Sequence, residues 1–142
     1  MKKTVILLVM FVLGAFMTQA QSVTGKWKTI DDETGEAKSI VEISEKDGKI
    51  YGKVVEILNP AKRNAKCIDC KGVDKDKPVL GLTIIKGLSK SGSEWSGGQI
   101  LDPNKGKLYK CSIILDGKDK LSVRGYVGIS LLGRTQTWHR VK

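Results

Sequence analysis

The 142-residue chain contains a single histidine and three cysteines, and after residue 20 it has no stretch in which apolar side chains recur with a helical period. Each scarcity removes a class of chemistry. A structural zinc site normally takes four ligands from two paired motifs, and only Cys67, Cys70, Cys111 and His139 are present to supply them, with no second paired knuckle. A Ser-His-Asp hydrolase would need His139 as its base. Alternation instead sets His139 with Thr135, Thr137 and Val141 on an outward face, with no partner in reach by sequence. The nearest approach to a nucleophile elbow, Gly128-Ile129-Ser130-Leu131-Leu132-Gly133, misses the G-x-S-x-G spacing by one and has no helix behind it. Carboxylates fall largely in turns, as at Asp31, Asp32, Glu33, Asp74, Asp76 and Asp102, where such groups bond nearby backbone N–H groups. No catalytic residue, metal ligand set or cofactor is assigned, and the balance is against an enzyme.

Also missing is an apolar run long enough to cross a bilayer, which takes about 20 residues. The opening MKKTVILLVMFVLGAFMTQAQS has two lysines, an apolar stretch from Val5 to Phe16, then Thr18-Gln19-Ala20. That order is the signature of a secretory leader cleaved after Ala20. The expected division is a signal peptide over 1–20 and one domain over 21–142, periplasmic or secreted, with no transmembrane segment after cleavage. No cysteine stands at the cleavage point to carry a lipid.

What is present is charge, mostly of one sign. The formal net charge is +10, and losing Lys2 and Lys3 with the leader would make it +8. Export removes nucleic acid as the partner such an excess would attract. The lysines, among them Lys46, Lys49, Lys53, Lys105, Lys107 and Lys118, are spread over turns and alternating positions, as on a solvated surface.

Short alternating runs separated by turn signals point to an all-β domain, with strands expected over 24–30, 38–44, 49–58, 82–88, 94–101, 107–115, 120–127 and 134–141. Connectors such as DDETGE, KDG, SKSGS, DPNKG and DGKD supply the Gly, Asn and Asp that hairpin turns demand. About eight consecutive antiparallel strands in one domain imply a single up-and-down barrel, since closure removes exposed edges. Tyr109, Cys111, Ile113 and Leu115 share one inward face, and Leu121, Val123, Gly125 and Val127 another. In-strand glycines at 52, 97, 98 and 125 fit the bends of a tightly curved sheet. Only the 59–78 segment breaks the meander.

That segment contains Cys67-Ile68-Asp69-Cys70. A thioredoxin-like catalyst needs a helix after the first cysteine, and KGVDKDKP cannot make one. A haem attachment site would need histidine at Lys71. A disulfide suits an exported protein. Joining Cys67 to Cys70 closes a small ring worth about 2 kcal/mol in loop entropy, against about 4 for a link to Cys111. Placement favours the small ring, because Cys111 falls mid-strand facing inward while the pair lies in a loop expected to be mobile and at the surface. Other pairings, a metal and a redox role remain as less favoured alternatives.

The end of the chain, GRTQTWHR, places Arg134, Gln136, Trp138 and Arg140 on one face, with the bulk of Trp138 turning it inward. Such polar groups either close a barrel end, stacking on tryptophan and bonding loop carbonyls, or line a cavity for a polar ligand. Gly25-Lys26-Trp27 on the first strand, with Trp138-His139-Arg140 on the last, resembles the lipocalin and wider calycin pattern, in which G-x-W meets an arginine from the barrel end. Over almost the whole mature chain, the segments GKWKTIDDETGEAKSIVEI, KCIDCKG, KDKPVLGL, WSGGQILDPNKGKLYKC and RGYVGISLLGRTQTWHR resemble secreted bacterial proteins of domain-of-unknown-function family 2147. The resemblance implies export and a small lipocalin-like β-barrel, and brings no catalytic residues with it. The expectation is a non-enzymatic envelope protein that binds a small amphipathic or anionic molecule. Trp95, Tyr109, Arg134, Gln136 and Trp138 would line the cavity, with Trp27 and Arg140 closing the barrel. The alternative is an interaction module acting through its outer surface and the 59–78 loop.

Overall fold

The computed structural model describes residues 22–129 and 131–142; the expected leader lies outside them. Eight strands follow one another: β1 (Gly25–Ile30), β2 (Ala37–Lys46), β3 (Lys49–Ile57), β4 (Thr83–Ser91), β5 (Glu94–Asp102), β6 (Lys107–Asp116), β7 (Lys120–Tyr126) and β8 (Gly133–Arg140). Each pairs antiparallel with the next, and β8 returns to β1, so the sheet closes into the up-and-down barrel that the alternation implies.

Local chemistry sets this register. Between β2 and β3 the two-residue turn has Asp47 at φ 53° and Gly48 at φ 76°, both positive, which matches the twist of a tight hairpin and lets Lys46 face Lys49. Along β1, Trp27 is fully buried while Lys26 and Lys28 are exposed; along β2, Val41 and Ile43 are buried and Glu42 is exposed. The interior is thus aliphatic and aromatic and the outside charged, the inverse of a barrel that spans lipid. Val127 departs from the inward face expected for it. Strand β7 ends at Tyr126, and Val127 is largely exposed in the loop beyond.

The two barrel ends differ. At one end lie the chain termini and the β2–β3, β4–β5 and β6–β7 turns; at the other lie the β1–β2, β3–β4, β5–β6 and β7–β8 connections. The first end is plugged. The Trp27 indole N–H donates to the Val23 carbonyl at 2.8 Å, and the Arg140 guanidinium sits 4.3 Å from the Trp27 ring centroid. Arg140 also donates to the carbonyls of Ser22 (2.6 Å), Thr24 (3.0 Å) and Lys118 (2.9 Å). One side chain therefore ties the incoming chain, the last strand and the β6–β7 turn together.

The long β3–β4 connection is not the mobile loop expected. Cys67 and Cys70 form a disulfide, and both are buried in the core cluster. The Cys67 N–H donates to Lys77 O at 2.8 Å and the Asp76 N–H to Cys67 O at 2.9 Å. Buried Asp74 pairs with Lys86 of β4 and with Lys77, fastening the segment to the barrel wall. Its other fastening is steric. Gly106, at φ 65°, lies so close to Asp69 that a Cβ there would collide with the Asp69 carbonyl.

Two in-strand glycines should respond oppositely to a methyl group. At Gly98 a Cβ would run into the carbonyls of Lys86 and Gly87, whereas at Gly125 its nearest neighbours are side chains of Ile100 and Tyr109 at 3.6 Å. Urea denaturation should show Gly98→Ala destabilised by about 2–3 kcal/mol or more and Gly125→Ala changed by under about 1 kcal/mol.

Candidate functional site

The unplugged end opens into a cavity of about 400 Å³. Its floor is Trp138, and Val54, Ile84, Ile100, Tyr109 and Val123 contribute to its walls. These residues come from six strands, which only a closed sheet brings around one space.

Polar groups line the cavity from both sides: Lys62, Asp102, Asn104 and Lys105 from β5 and the β3–β4 and β5–β6 connections, and a hydrogen-bonded set from β1, β2 and β8. Thr29 Oγ1 and Ser39 Oγ, on neighbouring strands, are hydrogen bonded at 2.9 Å. From the floor to the rim runs a second set. The Trp138 indole N–H donates to Gln136 Oε1 at 3.0 Å, and Gln136 Nε2 donates to Asp32 Oδ1 at 3.3 Å. Arg134 Nε donates to Asp32 Oδ2 at 2.8 Å, its Nη2 lies 2.7 Å from the same oxygen, and its Nη1 lies 3.0 Å from Glu33 Oε1. Gln136 is held at both ends, which fixes its amide and leaves the face of Trp138 as apolar floor.

The electrostatics at the rim follow from these partners. The hydrogen bond to Asp32 raises the Arg134 pKa above its ordinary value, reinforced by the charges of Asp32 and Glu33. Asp31 accepts the backbone N–H groups of Glu33 (2.8 Å) and Thr34 (3.1 Å) and pairs with Lys38 at 3.3 Å; the Glu33 N–H, above all, lowers its pKa. Arg134 is consequently already engaged by two carboxylates. An incoming anion would have to compete for it.

Of the side chains expected around a cavity, Tyr109, Arg134, Gln136 and Trp138 line this one. Trp95 does not. It is buried in the core cluster opposite Ile113, as the second residue of β5 from the plugged end, and packs as barrel filling. Trp27 and Arg140 belong to the plug rather than the cavity. His139 is exposed on the outside of β8. Among the described residues, no group of three or more His, Cys, Asp or Glu side chains gathers in metal-binding geometry. Asp32 and the Thr29–Ser39 pair were not legible as site residues. Asp32 lies 102 positions before Arg134, and the one available signal was closure itself, which lays the turn after β1 beside the start of β8.

An eight-stranded antiparallel barrel with one plugged end and one open cavity has the lipocalin-like fold. Protein HP1028 from the human pathogen Helicobacter pylori, described as belonging to the lipocalin family, superposes with a TM-score of 0.76 at 20% identity, over 87% of this chain and 85% of that one. By sequence the chain belongs to the family described as an uncharacterized protein conserved in bacteria (DUF2147), whose model matches residues 25–140. No curated protein matches it.

Cys111, beneath the cavity, is a buried free thiol, and burial pushes its pKa up to about 12 from 9.0. It should resist a thiol reagent at pH 8 until the protein is unfolded. Because the folded state keeps this proton where the unfolded state loses it, stability should decline as pH rises from about 9 towards 12. Cys111→Ala, followed by urea denaturation across that range, should flatten the decline.

Proposed function

We propose that this protein binds a small amphipathic molecule, its apolar body in the barrel cavity and its polar end at the rim, without chemical transformation. The observation that carries this reading is a cavity of about 400 Å³ with an aliphatic and aromatic interior from Val54, Ile84, Ile100, Tyr109, Val123 and Trp138, and with polar and charged side chains towards its open end. Binding sites for small molecules have this composition and begin at about 300 Å³. Tyr109 and Trp138 would cover the apolar body, and Gln136 and Arg134 would meet the polar end. The disulfide supports an oxidising, extracytoplasmic setting. A second reading, an interaction surface on the 59–78 loop, has its support in Ile68 and Val73, exposed on an otherwise fastened segment.

The prior engagement of Arg134 by Asp32 and Glu33 favours a neutral or weakly charged amphiphile over a strong anion. Titration with the neutral fluorophore N-phenyl-1-naphthylamine should give saturable enhancement, with weaker binding of the anionic 8-anilinonaphthalene-1-sulfonate. Gly125→Leu, which projects a side chain into the cavity, should weaken the neutral probe at least tenfold, about 1.4 kcal/mol. Arg134→Ala should weaken the anionic probe more than the neutral one and cost under about 1 kcal/mol of stability, as its ion pairs are exposed. Failure of the neutral probe to bind, or equal binding of it to Gly125→Leu, would overturn the reading.

A further inference from the structure

Large apolar side chains left on the surface are distributed unevenly. Of nine among the described residues, seven lie on two connections at the open end: Ile68, Val73 and Leu80 between β3 and β4, and Val127, Ile129, Leu131 and Leu132 between β7 and β8. The other two, Leu108 and Ile114, are on β6. Leu131 and Val73 are 83% and 80% exposed, values at which these side chains touch almost nothing of their own chain. The turns at the plugged end carry none.

Charge is asymmetric in the same sense. Residues 59–82 include six basic side chains against three acidic ones, and one of the acids, Asp74, is buried against Lys86. Lys62, Lys66, Lys71 and Lys105 are exposed there and make no ion pair among the described residues. On the β7–β8 side, Lys110 Nζ donates to Gly128 O at 3.3 Å, setting a cation beside the aliphatic tip. The β1–β2 turn is the acidic part of this end, with Asp31, Asp32, Glu33 and Glu36, of which Asp31 pairs with Lys38 and Asp32 and Glu33 with Arg134.

We propose that the open end docks on an anionic phospholipid bilayer, with the β3–β4, β5–β6 and β7–β8 connections against the lipid and the acidic β1–β2 turn tilted away. In the closed strand order the two aliphatic tips stand four strands apart, on opposite sides of the mouth. Such a pair of separated tips cannot form the single packed centre that a protein partner's hot spot requires. It does suit an interface that yields to each tip independently. Aliphatic side chains enter the headgroup and acyl boundary while the lysines meet anionic headgroups. Val127, Leu132, Lys62 and Lys105 also line the cavity, whereas Ile68, Val73, Leu80, Ile129, Leu131, Lys66 and Lys71 lie outside it, so the arrangement holds whether or not the cavity takes an amphiphile. Where both hold, the mouth would face the phase in which amphiphiles reside.

The test is flotation of the purified, disulfide-bonded protein with vesicles of phosphatidylglycerol and phosphatidylethanolamine, or of phosphatidylcholine alone, at low and high salt. Binding to the anionic vesicles should exceed binding to phosphatidylcholine at least tenfold and weaken as salt rises. The double variant Ile129→Asp/Leu131→Asp, at exposed positions outside the cavity, should lower vesicle binding at least tenfold. It should keep its circular dichroism and its titration with N-phenyl-1-naphthylamine in the absence of vesicles. A Leu131→Trp variant should show a blue-shifted emission with anionic vesicles. Absence of binding, binding indifferent to the double variant, or a self-associated protein that the variant merely dissociates would each overturn the proposal. Loss of probe binding without loss of flotation would bear on the cavity alone.

Discussion

The seam between β1 and β8 is what makes the sheet a barrel, and it is the shortest pairing in the molecule. Its backbone register joins Trp27 and Lys28 to Arg140 and His139, two pairs where every other neighbouring pair of strands has at least five. One further backbone bond, from the Val141 N–H to Lys26 O at 2.9 Å, extends it, and side chains brace both ends. At the plugged end Arg140 stacks on Trp27 and collects three carbonyls, so its charge is shared among groups that otherwise would be orphaned chain-end acceptors. At the open end Arg134 spans from β8 to Asp32 and Glu33 beyond β1. Two arginines at opposite ends of one strand thus close the sheet, and the lower half of the cavity rim is a by-product of the second closure.

The same constraint separates what the sequence shows from what it hides. Local periodicity is enough to place eight strands within a few residues, because each hairpin is written in contiguous residues: a turn dipeptide such as Asp47-Gly48 and alternation on either side. Tyr109, Gln136 and Trp138 could be assigned inward for the same reason. Trp95 shows where alternation stops being informative. It gives the side of the sheet a residue faces but not whether it reaches the open space: Trp95, the second residue of β5, fills core, while Trp138, two residues before the plugged end of β8, lines the cavity. The anchored 59–78 segment was hidden for a related reason. Its composition is that of a solvated loop, and its burial comes from the Asp74–Lys86 pair and from Gly106, each requiring a partner many residues away.

An eight-stranded barrel is just wide enough for its interior to be filled by side chains, so a cavity at one end requires an explanation in residue size. In the plugged half the inward positions hold Trp27, Ile43, Ile50, Leu88, Ile113 and Leu121, all essentially without exposure. In the open half, Gly125 sits inward on β7 where a methyl group would have ordinary contacts only, and Thr29 and Ser39 occupy inward places on β1 and β2. The space therefore follows from small residues at inward positions of β7, β1 and β2 rather than from a wider sheet. The hydroxyls of Thr29 and Ser39 satisfy each other across it, which lets these small polar residues face the cavity at little desolvation cost. Filling the same positions with branched aliphatics would turn the upper half into the lower, leaving the strand register and both arginine closures unchanged.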